Sequence, residues 1–237
     1  MPTINDRALA AADTGTTAAT LRDFATDKSP KLREAVARNP STPTDALQVL
    51  VRDEKWAVRF AVAENPSSRA LPVALGATDP DTRGRAAQRE DLDPESVQLV
   101  LHDAAHTVRE RLAESTDDAS AVAALARDPH PAVRASVIVH SDHLSAADVE
   151  MLARDSVAQV RAAAAASRRV SPDTLTVMAE DRSVQVRWSV LVNNPERLDL
   201  ARKIANDADE MNAQQAKAQL DRPRDFTAFL GDVELIT

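Results

Sequence analysis

The chain is poor in the residues that carry most cofactor and redox chemistry. It has 237 residues, with no cysteine, no tyrosine, four glycines and 3% aromatic residues. Without cysteine it can form no disulfide, thiolate zinc site, cysteine nucleophile or cysteine-ligated iron–sulfur cluster. The four glycines form neither the dinucleotide-binding glycine motif nor a P-loop. We therefore expect no cofactor and no nucleotide chemistry of the usual kinds.

Long apolar segments are also missing. No apolar run approaches the roughly 18 residues needed to cross a membrane, and the first residues lack the basic-then-apolar pattern of a signal peptide. The sequence therefore predicts a soluble, cytoplasmic protein that does not bind membranes. The apolar fraction is 43%, and much of it is alanine, which suits closely packed short helices.

A repeat of 24 to 27 residues runs through the sequence. Its first marker is a series of arginines, most of which follow Val or Leu: Arg33, Arg59, Arg83, Arg109, Arg134, Arg161 and Arg187. A series of aspartates keeps the same period: Asp27, Asp53, Asp79, Asp103, Asp128, Asp155, Asp181 and Asp207. Each aspartate precedes the next arginine by four to six residues, except Asp207, which no such arginine follows. Because buried charges are paired, we expect these two series, the ladder residues, to be structural ion pairs at the edge of the core.

Each repeat divides into two short helices. The first follows the ladder arginine and ends at an Asn-Pro pair or another polar pair, because proline disfavours helix in the residue before it. The second carries apolar pairs three residues apart, and capping residues at Thr42, Asp93 and Ser171 mark its start. Helix pairs of this size must stack on their neighbours to bury their apolar sides. The pattern predicts an all-α fold, an α-solenoid of about seven two-helix repeats.

The two ends of the sequence depart from the repeat. Residues 1–26 hold only the second half of a unit and are interpreted as an N-terminal capping half-repeat. Residues 27–207 form the repeats themselves. Residues 208–237 lose the Val-Arg signature and are interpreted as a C-terminal cap followed by an apolar tail that contains Phe226 and Phe229.

Two of the units resemble a known family. Residues 32–43 (LREAVARNPSTP) and 58–66 (VRFAVAENP) are similar to the leucine-rich repeat variant family, which is close to HEAT-like repeats that share the Asp-Pro-x-x-x-Val-Arg core seen at residues 128–134. The resemblance implies a right-handed superhelix whose surface binds other molecules, and it implies no enzymatic activity. Some family members carry a cysteine-rich iron–sulfur segment, which this sequence cannot form.

No group of residues in the sequence indicates a catalytic or metal site. The densest candidate is His140, Asp142 and His143, which falls where other units have their inter-helix turn. Two histidines and one carboxylate could hold a divalent ion, but no further ligand is close in sequence, so we interpret this group as a solvated turn. The sequence therefore predicts a non-catalytic protein without a metal.

The net charge of −8 indicates which partners the protein prefers. Residues 79–128 contain six basic and twelve acidic residues, which disfavours binding to a phosphate backbone and makes a basic protein the more plausible partner. Two alternatives stay open. One is a HEAT-like enzyme acting on nucleic acid, similar to a DNA glycosylase, and the other is an acidic decoy that binds a basic DNA-binding protein.

Positions one and five after each ladder arginine indicate a contact surface, because they share the outer side of the first helix. They are polar in most early units and apolar in the last three. An apolar strip of Val139, Ala166, Trp188 and Val192 then needs a cover, either the tail with Phe226 and Phe229 or a partner, so both a monomer and a homodimer stay open. The predicted partner-binding residues are Trp56, Phe60, Glu110, Glu114, Val139, Trp188 and Val192.

Overall fold

A computed structural model describes residues 4–221 of the chain, and every regular element within them is an α-helix. Eleven helices come first along the chain: α1 Ile4–Ala12, α2 Ala18–Ala25, α3 Pro30–Arg38, α4 Thr44–Leu50, α5 Trp56–Ala63, α6 Ala70–Leu75, α7 Pro80–Ala87, α8 Pro94–Leu101, α9 His106–Ala113, α10 Ala119–Leu125 and α11 Pro131–His140. Six more follow: α12 Ala146–Leu152, α13 Ala158–Ala166, α14 Pro172–Met178, α15 Val184–Asn193, α16 Leu198–Ile204 and α17 Glu210–Leu220. None of these helices combines the length and apolar character that a membrane crossing requires.

The helices belong to two compact units, Met1–Asp148 and Val149–Thr237. In the first unit the odd-numbered helices α1 to α11 pack side by side in chain order, and the even-numbered helices α2 to α10 form a second row. In the second unit α13, α15 and α17 pack in the same order, with α14 and α16 against them. This stacking of helix pairs is that of an α-solenoid, which confirms the predicted fold class.

The core lies between the two rows of helices and comes from two positions of the repeat. The residue before the ladder arginine is fully buried in most units, as Leu32 and Val58 are. The apolar pairs of the even helices, such as Leu47 and Leu50, are buried against them. Burying a side chain of this size stabilises the fold by about 1.5 to 3 kcal/mol, so each unit depends on the surface that its neighbours cover.

Helix starts follow the predicted capping chemistry in two of three cases. Asp93 and Ser171 cap α8 and α14 by accepting a backbone N–H, with proline in the next position. Thr42 is not a cap, because α4 begins at Thr44 and the buried Thr42 hydroxyl instead donates to the Val36 carbonyl. The Thr42 hydroxyl therefore binds the end of α3, whereas the sequence predicted that it caps the start of α4.

Ladder arginines connect consecutive repeats by binding two loop groups, a backbone carbonyl in one loop and a carboxylate in the next. In the clearest example, Arg33 Nε and Nη2 donate to the Asp53 carboxylate at 2.5 and 2.9 Å, while Nη1 donates to the Asp27 carbonyl at 2.7 Å. The same carboxylate pairing joins four further pairs through two nitrogens each: Arg83–Asp103, Arg109–Asp128, Arg161–Asp181 and Arg187–Asp207. Arg59 and Asp79 share a single bond of 3.0 Å. Planar guanidinium groups suit this two-point contact with a carboxylate.

The carboxylate partner is not the aspartate that the sequence pattern paired with each arginine. The aspartate before an arginine offers its backbone carbonyl, and the carboxylate comes from the next unit, 20 residues after Arg33, for example. Asp207, which no ladder arginine follows, is therefore the partner of Arg187. Arg134 donates in the same way to the Asp128 carbonyl. Sequence order alone could not separate the two arrangements, because both place an arginine near an aspartate.

The series of arginine–aspartate contacts begins one repeat earlier than the sequence indicated. Residues 4–25 form two helices, α1 and α2, rather than a half-repeat, and α1 packs against α3. Arg7 donates to the Asp27 carboxylate at 2.6 Å, as the ladder arginines do. Arg7 was missed because it follows Asp6 rather than Val or Leu. The predicted tail residues Phe226 and Phe229 lie outside the described residues.

A second series of contacts joins the other ends of the odd helices. The side-chain amide of Asn39 donates to the carbonyls of Ala11 and Asp13, and that of Asn65 donates to Ala37 and Asn39 one unit later. Each bond satisfies carbonyls at a helix end that have no partner within their own helix. Other side chains take this place in later units: Arg89 bonds the Asn65 carbonyl, Ser115 that of Ala87 and Gln219 that of Leu191.

Removing one buried ladder arginine should destabilise the fold strongly. Arg109→Ala leaves the Asp128 carboxylate buried without its partner, so the free energy of unfolding should fall by about 3 kcal/mol. Denaturant unfolding followed by circular dichroism measures this loss. Arg111→Ala, on the same helix but half-exposed, is the control and should cost under about 1 kcal/mol. Equal losses in the two variants would contradict a structural role for the ladder.

The ladder aspartates make the stability of the fold depend on pH. The Arg187 guanidinium and the Asp209 N–H hold the pKa of Asp207 at about 2, below its ordinary value of 3.8. Burial opposes ionisation of Asp53 and Asp181, yet bonds from Arg33 and Arg161 still lower the pKa of both carboxyls. A depressed native pKa stabilises the fold above the unfolded value and loses that effect as the carboxylate is protonated.

We therefore expect the free energy of unfolding to be constant down to about pH 5 and to fall progressively between about pH 5 and pH 2. Unfolding curves at stepped pH measure this dependence. In Arg187→Gln the fall should be smaller, since Asp207 no longer has its cationic partner. A stability that stays level to pH 2, or that falls mainly above pH 5, is incompatible with this expectation.

Candidate functional site

A groove crosses three odd helices, α5, α7 and α9, in the compact unit Met1–Asp148. It has a volume of about 620 Å³, and its lining residues are Phe60, Glu64, Pro80, Asp81, Gly84, Arg85, Gln88, Thr107 and Arg111. A second depression of about 450 Å³ shares Glu64, Arg85 and Gln88 with it and extends to Pro66 and Asp91. We call these two adjacent depressions the α5–α9 groove.

Gly84 forms the floor of the groove. It stands one residue after a ladder arginine, where other units carry Glu34, Phe60 or Glu110. A Cβ atom built on Gly84 would lie 3.2 Å from Cγ of Arg111, so the Arg111 side chain lies over the space that a larger residue would fill. Glycine within a helix costs about 0.5 to 1 kcal/mol relative to alanine, and here the buried Gly84 lets the Arg111 side chain of α9 pack close against α7.

Two aromatic side chains stand at one side of the groove. Trp56 and Phe60 pack edge to face, with ring centroids 5.3 Å apart and planes at 78°. Phe60 is half-buried and lines the groove, whereas Trp56 is 65% exposed. Trp56 is the first residue of α5, in the place that Pro80 takes in α7, so it belongs to the helix rather than to the preceding turn. An exposed tryptophan supported by a second ring has the character of a contact residue.

A charged network covers the rest of the surface. The Glu64 carboxylate accepts from Arg38 on α3 at 2.6 Å and from Arg85 on α7 at 2.7 Å. Burial opposes ionisation of Glu64, but these two arginines lower the pKa of its carboxyl. Glu114 accepts in turn from Gln88 and Arg111, both at 2.9 Å. Glu114 is one of the contact residues predicted from the sequence, whereas the three arginines between the acids on this surface were not predicted.

The missed residues did leave a signal in the sequence. Arg85 and Arg111 each stand two residues after a ladder arginine, a position where other units carry small residues such as Ala35, Ala61 or Ser136. Gly84 is also the one glycine within the odd helices that the structure describes. A comparison of equivalent positions across units would have marked α7 and α9 as exceptional.

The acidic segment between residues 79 and 128 is mostly committed to the fold. Seven of its twelve acidic residues have a structural partner: Asp79, Asp103 and Asp128 in the ladder, Asp93 and Asp118 as helix caps, Asp91 with Arg89, and Glu114 with Arg111. Glu110 is half-buried on α9. The negative charge of this segment therefore reflects the repeat itself more than a surface offered to a basic partner.

None of the predicted contact residues Val139, Trp188 and Val192 is among the residues that line this groove. In the first unit, Val139 is 61% exposed near the end of α11. In the second unit Ala166 is exposed, while Trp188 and Val192 on α15 are half-buried. Trp188 is thus less available for contact than its predicted place on the outer side of the helix implied.

The histidine group gives no sign of metal ligation. His140 is the last residue of α11, not part of a turn, and its Nδ1 lies 2.9 Å from the Ser136 carbonyl oxygen. His143 Nε2 lies 3.6 Å from a carboxylate oxygen of Asp117. Within residues 4–221 no three histidine, aspartate or glutamate side chains are grouped as metal ligands would be.

Comparison with known proteins bears on the fold. No protein-family model and no curated protein matches the sequence. A solved structure described as a leucine-rich repeat variant with a novel repetitive protein structural motif superposes with a TM-score of 0.62. The match covers 84% of this chain and 80% of that chain, at 22% sequence identity. The chain has the leucine-rich repeat variant fold. At this identity the leucine-rich repeat variant likeness concerns architecture, and the function has to be argued from the groove.

Gly84 lies at a close contact between α7 and α9, and its replacement tests whether Arg111 can shift there. Gly84→Ala removes the helical cost of glycine, and the displaced Arg111 side chain is flexible, so the free energy of unfolding should rise by about 0.5 kcal/mol. Denaturant unfolding measures the change. Gly76→Ala is the matched control, because its Cβ would lie 3.2 Å from the Pro72 carbonyl oxygen, which cannot move freely, and it should be destabilising. If both variants lose stability, the Arg111 side chain cannot shift, and the expected gain is refuted.

Proposed function

We propose that this chain is a non-catalytic protein-binding scaffold and that the α5–α9 groove holds a segment of its partner. The observation that carries the proposal is the convergence of Trp56, Phe60, Gly84, Arg85 and Arg111 on one side of three neighbouring odd helices. Each departs from what most units have at its place in the repeat. The ladder that supports the fold needs none of them, so stability alone does not account for the set.

The shape of the groove favours a peptide segment over a small molecule. It is open and crosses three helices, and adjacent packed helices are about 8 to 10 Å apart. The groove therefore spans about 20 Å, which an extended peptide of about six residues covers. Such a site fits a loop or terminal segment of another protein, with Trp56 at its edge as an anchor.

The chemistry of the lining favours binding over catalysis. Histidine and cysteine are missing from the residues described in the lining, and Thr107 is its one hydroxyl side chain. Its arginines are paired with Glu64 and Glu114, which reduces their attraction for a phosphate backbone, and the net charge of −8 opposes such binding further. These features support a scaffold rather than the glycosylase-like alternative.

A photo-crosslinking residue placed in the groove tests the proposal. With p-benzoylphenylalanine at Thr107, which lies exposed in the lining, native host lysate should yield a defined protein adduct. The same residue at Val49, which is 50% exposed on α4, is the control and should not yield that adduct. The adduct mass distinguishes a foreign partner from a second copy of this chain.

Replacing Trp56 with alanine should strongly weaken the binding of this partner. Anchor residues of an interface contribute about 2 kcal/mol or more, so Trp56→Ala should reduce affinity for the captured partner about 30-fold. Titration of the purified partner measures the affinity. Leu99→Ala is the control, because Leu99 is 57% exposed on α8, outside the groove. Equal weakening by both variants, or no adduct specific to Thr107, would refute the groove as the binding site.

A further inference from the structure

The aspartate that joins α7 to α5 is displaced from its usual place in the repeat. Asp79 stands four residues before Arg83, whereas every other ladder aspartate that precedes a ladder arginine stands six residues before it. The residue six before Arg83 is Ala77, whose carbonyl accepts from Arg83 Nη1 at 2.8 Å. Asp79 is instead the N-cap of α7, where its carboxylate also accepts from the Asp81 N–H.

This displaced carboxylate shares one bond with Arg59. Arg59 Nε donates to Asp79 Oδ2 at 3.0 Å, and the Thr82 hydroxyl donates to the same oxygen at 2.6 Å. In the other ladder contacts a second bond runs from Nη2 to Oδ1, as from Arg33 to Asp53 at 2.9 Å. The side chains of Arg59 and Asp79 are 21% and 22% exposed, against 12% and 7% for Arg33 and Asp53. The α5–α7 contact is therefore weaker than the five two-point contacts of the ladder.

The core side of α7 is also weaker than that of its neighbours. Thr82 takes the fully buried place before the ladder arginine that Val58 has in α5 and Val108 has in α9. None of the buried residues of α7 is larger than threonine: Thr82, Gly84, Ala86 and Ala87. In contrast, α5 buries two valines, and α9 buries a valine and a leucine. Less apolar surface therefore leaves water when α7 packs, and its glycine lowers its helix propensity.

The α5–α9 groove depends on this weakly held helix. Four of the nine residues that line its larger depression belong to α7: Pro80, Asp81, Gly84 and Arg85. Phe60 of α5 and Thr107 of α9 complete the lining from either side. Opening of α7 therefore removes the middle of the groove.

We propose that α7 is a conformational switch built into the compact unit Met1–Asp148, which opens locally before α5 and α9 do. The displaced Asp79 and the Thr82 hydroxyl set this balance, because they limit Arg59 to one bond. The switch goes beyond the scaffold function, since it is a property of the free chain and needs no partner. A segment bound across the three helices favours the closed state, because a ligand shifts an equilibrium toward the state that it binds.

Hydrogen–deuterium exchange of the free full-length chain, followed by mass spectrometry, compares the three helices directly. Each of α5, α7 and α9 has eight residues, so after correction for intrinsic rates their differences report local opening. The backbone amides of α7 should exchange about tenfold faster than those of α5 and α9, the ratio expected for one bond to a charged group. Equal rates in the three helices would overturn the proposal.

A pair of variants changes the α5–α7 contact in opposite directions. Asp79→Ser keeps a capping side chain but removes the carboxylate, so α7 should exchange about tenfold faster than in the native chain. Adding Ala77→Asp returns a carboxylate to the usual place, in the Asp-x-Ser arrangement of residues 27–29 and 181–183. This double variant should slow exchange about tenfold relative to the native chain and bring α7 to the rate of α5. A double variant that exchanges as fast as Asp79→Ser contradicts the proposal.

Thr82→Val decides the question if the double variant does not fold. Valine then fills the place that it has in α5 and α9, and Asp79 loses the competing hydroxyl, so α7 should exchange about three- to tenfold more slowly. Thr42→Val is the matched control, because Thr42 is also fully buried and its hydroxyl donates to the Val36 carbonyl of α3. It should not slow α7. Slower exchange of α7 in both variants, or in neither, is incompatible with the switch.

Discussion

The bond between a ladder arginine and the aspartate of the next unit is the constraint on which the rest of the structure depends. One guanidinium group holds the carbonyl of its own loop and the carboxylate of the following loop. That carboxylate also accepts the backbone N–H two residues on, at the start of the next odd helix, as Asp53 does from Lys55. A nearly buried guanidinium group needs these acceptors, so each arginine–aspartate contact fixes how neighbouring odd helices stack.

Because the arginine–aspartate contacts hold the starts of the odd helices, the opposite ends of these helices tolerate a wider range of side chains. Asn39, Arg89, Ser115 and Gln219 all bond carbonyls of the preceding unit, although their side chains differ in length and charge. What recurs is a donor in reach of a helix end, not one residue type. The outer side of the odd helices is less constrained still, and there Gly84 and its neighbours depart from the repeat without disturbing an arginine–aspartate contact.

The net charge of the chain and the local charges of the α5–α9 groove lead to different expectations about a partner. A chain of net charge −8 is expected to attract cations at long range, yet much of that charge is matched by ladder arginines and helix N-termini. On the α5–α9 groove Arg85 and Arg111 are more exposed than the carboxylates that they bind, whereas Asp91 is more exposed than Arg89. A bound partner responds to the groups within a few ångströms, so the groove and not the total sets its preference.

The sequence by itself determined the helical repeat, its period and the residues of the ladder, because a 24–27-residue recurrence of Arg, Asp and apolar pairs leaves few other ways to bury the apolar sides. It also placed Trp56 and Phe60 on the surface. Only the tertiary structure decided which aspartate each arginine binds, since that depends on contacts 20 residues apart. It alone brought Gly84, Arg85 and Arg111 together with Phe60, because the helices that carry them become neighbours only when the units stack.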